Sequence, residues 1–555
     1  MRPTSPKSGQ IARTVNHPYM NLWKPRRGEV RSSEVGPAGE GRSAGSRLDA
    51  AGERSETGRS VVVMKFGGTS VGDASCIRKA AAIIQEASIE NCVVVVVSAM
   101  SGVTDQLIEF AVKSAAGEAK RAKRILERVR KRHKRAIGAL VHCRARRRRL
   151  SRKVDACLLE GERACHGVRG EMTPQAMDLI SSLGERLSAP LLAAALTERG
   201  VASEAVEATE ILMTDGNHGN AEPDMALTRE CTEARLRPLL SRGVVPVVTG
   251  FLGATPDGVV TTLGRGGSDY SATIFGAVLD AKQITLWTDV DGVLSADPRW
   301  VAEAIAIPEI CYGQAARLAF FGAKVLHPKT LRAVRNRNLP VWIRNTFASH
   351  RAGTRIDAQE RRNGSGVKAL ATVPEAVLVE VCSGSAVETR EWIQHVRAAL
   401  ASAAVDVYFV SRTAAESDLR IAVHGSHAVQ AIAAIRKLHL PDSRSCGKAP
   451  ITLDRSISVL TIVGAAAGDG SGLAKRAIDV MRRKNVGVMA SAVDDSDCSF
   501  SMAVAREEMK KALVALHREF HLEAHDSKLR AGTGSECSSH GGLLEEGMLL
   551  GECGP

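Results

Sequence analysis

The feature that most constrains this chain is a pair of wholly apolar runs, Val61–Phe66 (VVVMKF, broken only by Lys65) and Cys92–Val97 (CVVVVV), with a helical pattern over Ile77–Ala87 between them. A strand with one wet face alternates apolar and polar residues, whereas a run that is apolar throughout must be covered on both sides. Val-rich strands of this kind alternating with helices predict a mostly parallel sheet sandwiched by helices. Similar runs recur at Val244–Thr249, Gln283–Thr288 and Pro340–Arg344, and helices are expected near Pro174–Thr197, Tyr270–Leu279 and Ala323–Asn336. Residues 61–347 therefore read as one α/β domain, containing a basic helical segment over 117–170.

A polar stretch, 348–366, reads as a linker. Two smaller units follow, over 367–440 and 451–520, each with the order βαββα. The first runs through Val377–Cys382, a helix over Glu388–Ala401, Val405–Ser411, Leu419–His424 and a helix over Ala428–Leu438. The second runs through Ile457–Val463, a helix over Gly472–Lys484, Val486–Val493, Ser499–Ala505 and a helix over Glu507–Phe520. The shared order indicates a tandem repeat of two α+β units. Residues 1–60 and 521–555 lack apolar periodicity and are expected to be disordered. The first 28 residues carry no acid, as in a transit peptide, but the simpler reading of the same residues is a plain tail or sequence upstream of a start at Met64.

The net charge of +14 would ordinarily suggest a polyanion as partner, but the charge is not spread evenly. Lys120–Lys153 holds 17 Lys/Arg against one acid, Glu127, and residues 1–60 add a net +5, so the rest of the chain is net acidic. With no aromatic residues interleaved to stack bases, the basic run reads as a solvated helix face rather than a nucleic-acid interface. No uncharged apolar run approaches the roughly 20 residues that cross a bilayer, so no membrane partner is expected. The 12 cysteines form no CxxC pair, which reads as reduced, mostly buried thiols in a cytoplasmic or organellar-matrix protein and leaves no metal site to name.

Five segments carry chemistry. Lys65-Phe66-Gly67-Gly68-Thr69-Ser70 leaves a buried strand; two glycines let backbone N–H groups approach a phosphate, and the lysine supplies a point charge. Thr262-Leu263-Gly264-Arg265-Gly266-Gly267-Ser268-Asp269 places an arginine between glycines at the start of a helix, where a guanidinium can grip a carboxylate or phosphate. The segment from Trp287-Thr288-Asp289 to Asp297-Pro298-Arg299 lies at the carboxyl end of a strand, where open α/β sheets bind ligands. Ser98–Thr104 follows the second strand, and Gly184-Glu185-Arg186-Leu187-Ser188 lies in a helix.

In their order and spacing these segments resemble the aspartate kinases of the amino acid kinase superfamily. The resemblance implies a mostly parallel sheet sandwiched by helices, followed by two ferredoxin-like ACT regulatory domains that exchange strands, so that Val367–Val373 pairs within the second unit. It implies transfer of a phosphoryl group from ATP, with Mg2+, to the side-chain carboxylate of L-aspartate, the first step towards lysine, threonine and methionine. Lys65 would stabilise the moving phosphoryl group and Asp269 would orient it. Arg265 would clamp the α-carboxylate, Glu185 would pair with the α-ammonium, and Ser98, Thr104 and Ser268 would complete the aspartate pocket. Gly67, Gly68, Thr288, Asp289, Arg299 and Lys324 would contact ATP. The resemblance also implies homo-oligomers joined through ACT domains and feedback by lysine or threonine. The alternative is an amino acid sensor built on a weak kinase. A plastid remains the alternative to the cytoplasm.

Overall fold

In the computed structural model the described residues are 59–322, 326–359, 366–382, 389–412, 418–438, 451–464, 470–493 and 499–523. Lys324 and most of both terminal segments lie outside them, as do two glycine-containing loops, at 383–388 and 465–469.

The first sheet uses β1 (Val61–Phe66), β2 (Cys92–Val97), β3 (Ser203–Val206), β4 (Val245–Thr249), β7 (Gln283–Thr288), β8 (Glu309–Cys311), β9 (Val341–Asn345) and β10 (Thr354–Asp357). A separate hairpin joins β5 (Leu252–Ala254) to β6 (Val260–Thr262). The strand order is β3-β4-β2-β1-β7-β9-β10-β8, and every pairing is parallel except β9 with β10. Alternate residues of β1 explain why the run is apolar throughout. Val62, Met64 and Phe66 enter one core, and Val61 and Val63 enter another.

The first core is covered by α1 (Ala74–Glu90), α2 (Val103–Ala115), α3 (Ala119–Leu140), α4 (Arg144–Ala164) and α5 (Pro174–Glu198). The second is covered by α6 (Met225–Ser241), α7 (Gly267–Val278), α8 (Tyr312–Phe320) and α9 (Pro328–Arg335). By length and composition α5 could cross a bilayer, yet it is largely buried among the neighbouring helices and strands as a core helix.

The second sheet is built from β11 (Val367–Cys382), α10 (Thr389–Ser402), β12 (Val407–Arg412), β13 (Asp418–His424), α11 (Ala428–Arg436), β14 (Ile451–Gly464), α12 (Gly470–Arg483), β15 (Val488–Val493), β16 (Ser499–Ala505) and α13 (Met509–Glu519). Its order is β12-β13-β11-β14-β16-β15, antiparallel throughout. Residues Val367–Val373 of β11 pair with β14 beside β16, and residues 451–457 of β14 pair with the half of β11 that faces β13. Each βαββα unit thus takes its fourth strand from the other, giving two ferredoxin-like units with exchanged strands.

Three expectations change. The stretch read as a linker carries β10, whose Thr354–Ile356 pair with β9 in the first sheet. The helix expected from Ala323 is described from Pro328, with His327 as its cap; α8 ends at Phe320, Gly322 has φ +91°, and residues 323–325 lie outside the described residues. Among the described cysteines Cys92 and Cys165 are buried while Cys143 is exposed, so the thiols are less uniformly interior than expected.

Candidate active site

The carboxyl ends of β2, β1 and β7 lie side by side, with Phe66 opposite Val97 and Trp287. Gly67 extends the pairing by donating its N–H to the Trp287 carbonyl at 3.0 Å, and Ser98 donates to the Phe66 carbonyl at 3.1 Å. The chain can then turn tightly: a Cβ on Gly68 would sit 3.0 Å from the Ala99 carbonyl oxygen, close enough that the neighbouring turn would have to shift. Phe66 stacks on Trp287 with centroids 6.0 Å apart, which fixes the floor beneath the two glycines.

Lys65 points to the side of the sheet that α7 covers. Its Nζ lies 2.5 Å from Asp269 Oδ1, in the first turn of that helix. Gly264 and Gly266 both have positive φ, +77° and +72°, and a Cβ on Gly266 would fall 2.6 Å from His327 Cβ, so the glycines around Arg265 are required by space and by backbone conformation. Arg265 itself is exposed and makes no ion pair among the described residues.

On the other side of the sheet, Gly184 lets α5 approach the loop after β2, because a Cβ there would lie 2.6 Å from Ala99 Cβ and 3.6 Å from Thr104 Oγ1. Glu185 follows it, only 4% exposed, with Oε2 lacking any hydrogen-bond partner. Burial pushes its carboxyl up to about 8, against the opposing pull of the Ala99 N–H and of Lys65. Ser188, one turn on, donates to the Ser98 carbonyl at 2.7 Å. Ser268 packs against Gly250, where a Cβ would be 2.8 Å from its own.

The contacts therefore join Lys65, Asp269, Gly67, Gly68, Ser98, Thr104 and Glu185 around one strand end, with Arg265 and Ser268 on the adjoining loop and helix start. Thr288 ends β7 and donates to Asp289 Oδ1 at 3.2 Å. Arg299 stands apart: it is 67% exposed and pairs at 2.5 Å with Asp297.

Sequence reading missed Asp178. Buried in α5 two turns before Glu185, it accepts from the Thr262 hydroxyl at 2.5 Å, the Thr262 N–H at 3.2 Å, the Gly219 N–H and His218 Nδ1, and so anchors the loop that carries Arg265. Asp178 carried no signal of its own, because α5 holds other carboxylates and its partners lie far along the chain. Sequence reading also missed Ser295, whose Oγ meets His517 Nε2 of α13 at 2.9 Å, a buried link from the segment after β7 to the second repeat.

Residues 60–345 match the model of the amino acid kinase family. The chain belongs to that family. Residues 460–520 of this amino acid kinase match an ACT domain. The chain is 30% identical over 470 residues to the chloroplastic bifunctional aspartokinase/homoserine dehydrogenase 1 of Zea mays, covering 83% of this chain and 50% of that protein. It is 29% identical over 457 residues to the lysine-sensitive aspartokinase 3 of Escherichia coli, covering 82% of this chain and 98% of the relative. It thus spans about half the length of the bifunctional plant relatives it matches. Among solved structures, E. coli aspartokinase III in complex with aspartate and ADP superposes with TM-score 0.68 at 26% identity, over 83% of this chain and all of that one. The fold is that of the amino acid kinases with a C-terminal antiparallel ACT sheet.

Proposed function

We propose that the chain is an aspartate kinase that converts L-aspartate and MgATP to 4-phospho-L-aspartate and ADP. The observation that carries the reading is the Lys65–Asp269 ion pair at the glycine turn, set beside the buried, unpartnered Glu185. A side-chain carboxylate oxygen of aspartate attacks the γ-phosphorus, and the bond to the ADP oxygen breaks. An ionised carboxylate needs no base, so the work left to the protein is positioning and charge neutralisation. Lys65 meets the charge on the moving phosphoryl group, and Asp269 holds that ammonium in place. Gly67 and Gly68 offer backbone N–H groups to the phosphates, with Thr288, Asp289, Arg299 and Lys324 towards the nucleotide. Arg265 grips the α-carboxylate, Glu185 the α-ammonium, and Ser98, Thr104 and Ser268 line the pocket. Bound with ATP, Mg2+ would supply positive charge to the phosphates beside Lys65.

The relatives named for aspartokinase activity support this substrate, and of the two feedback effectors considered, lysine and threonine, the lysine-sensitive relative supports lysine, acting through the exchanged ACT pair. Assembly as homo-oligomers through those units belongs to the same reading. The chloroplastic plant relatives favour a plastid over the cytoplasm.

The purified protein, given L-aspartate, MgATP and hydroxylamine, is expected to release ADP and form aspartyl hydroxamate, and Lys65→Ala to reduce the rate by at least about 100-fold. Undiminished turnover in that variant overturns the site. Glutamate serving as well as aspartate overturns the substrate.

A further inference from the structure

We propose that the cleft between α3 and the start of α1 binds a small phosphate-rich anion, at a site separate from the Lys65 centre. The cations of α3 are unevenly matched. Towards α4 they are matched by acids: Arg130 pairs with Glu127, Asp155 and Glu162, and Lys134 pairs with Asp155. On the opposite side Lys120, Arg124, Arg128, Lys131 and Arg135 recur every three or four residues, forming one stripe about 22 Å long. All five are exposed, and none makes an ion pair among the described residues.

Arg128, Lys131 and Arg135 from this stripe line a cleft of about 660 Å3, together with Arg132. Met100 and Ala136 add apolar surface, and the opposite wall is the Gly72–Ser75 turn. The only acid in the lining is Asp73, whose carboxylate is already engaged as the cap of α1, accepting from the Cys76 N–H at 2.9 Å. That hydrogen bond holds it below the usual carboxylate range.

Like charges at this spacing weaken a helix, and the same helix has acids placed against Arg121, Arg130 and Lys134. The partner missing on the cleft side is therefore an anion from outside the chain. Guanidinium forks suit phosphate oxygens, and the volume lies within the range of small-ligand sites. The lining holds no aromatic side chain on which a nucleic-acid base could stack, which favours a small anion over a polynucleotide. Arg132 connects the cleft to the strand ends: its guanidinium donates to the Ser101 carbonyl at 2.7 Å and the Gly72 carbonyl at 2.8 Å, joining the β1–α1 turn to the β2–α2 turn.

Calorimetric titration of the full chain with inorganic tripolyphosphate, without turnover, tests this independently of the proposed activity. Saturable binding is expected, persisting in Lys65→Ala and weakened about tenfold or more in Arg128→Gln/Arg135→Gln. Lys131→Gln serves as the second variant if the double variant melts early. The proposal fails if the wild type shows no saturable binding, or if binding disappears in Lys65→Ala and persists in the cleft variants. Tighter binding of a single-stranded oligonucleotide with the same residue dependence would also overturn it.

Discussion

Replacing Glu185 by Gln tests the aspartate pocket through two readouts that move in opposite directions. Burial raises the Glu185 carboxyl to about 8, and Oε2 has no partner. A folded-state value above that of the unfolded chain means that the fold favours the neutral acid. This group's contribution to stability is complete below the unfolded value and is lost as pH rises towards the folded one. At pH 7 the unfolded chain has already ionised the group, so holding it protonated costs the fold about 3 kcal/mol. Gln keeps the shape without the ionisation, so Glu185→Gln is expected to raise the melting temperature by about 5 °C at pH 7.

Aspartate binding moves the other way. At pH 7 roughly one molecule in eleven has Glu185 ionised and ready for the substrate ammonium, whereas at pH 9 about ten in eleven do. The KM for aspartate in the wild type is therefore expected to fall about tenfold between those pH values. In Glu185→Gln it should be pH-independent over this range and higher than wild type by on the order of 100-fold, the loss typical when one member of a buried charge pair is removed. Melting curves and initial rates of ADP release at pH 7, 8 and 9 report both. A variant with unchanged melting temperature, unchanged KM and the wild-type pH profile would refute the reasoning.

Gly184→Ala inserts a methyl group 2.6 Å from Ala99 Cβ, which forces α5 from the β2–α2 turn. A loss of about 1–3 kcal/mol in denaturant unfolding and a raised KM for aspartate are expected, and a neutral result on both would show that the close approach is not required. His133 is wholly buried in α3, donating Nδ1–H to the Val129 carbonyl at 2.8 Å while Nε2 finds no partner, and burial lowers it to about 4. Because the unfolded chain takes up this proton first, stability should fall by about 3 kcal/mol as pH drops from 6.5 to 4, and His133→Leu should flatten that part of the profile in urea titrations.

The parts of the fold that were legible were those whose residues are buried on all sides. Val61–Phe66 and Cys92–Val97 appear as strands with the expected ends because no polar position interrupts their pattern except Lys65, and Gln283–Thr288 keeps its ends although Thr285 interrupts it, since that residue is buried in the sheet. The elements that escaped notice are short and half-polar. β3 (SEAV) and β8 (EIC) are sheet edges, and in β10 Arg355 pairs with Asp357, so a strand carrying its own ion pair read as linker. The site was legible where the backbone favours glycine, at Gly68, Gly264 and Gly266, because close approach and positive φ leave a mark in composition. Asp178 left none: its role depends on Thr262, 84 residues away in sequence, and only folding brings the two together.

The electrostatics of the site are incomplete in a particular way. One cation and one anion, Lys65 and Asp269, are matched at 2.5 Å, while Glu185 is buried without a cationic partner in contact and Arg265 stands exposed without a carboxylate. A buried carboxyl without a partner destabilises a fold, and a guanidinium held between two left-handed glycines constrains the backbone, so neither arrangement serves stability. The proposed substrate would satisfy both, its α-ammonium at Glu185 and its α-carboxylate at Arg265. Its remaining side-chain carboxylate would then be left to face Lys65 and the glycine turn, where the phosphoryl donor binds. On the proposed reading the charge that matters to the reaction is small beside the net +14: Lys65 and Arg265 would act at the strand ends, while the exposed cationic stripe of α3 lies outside the Lys65 centre.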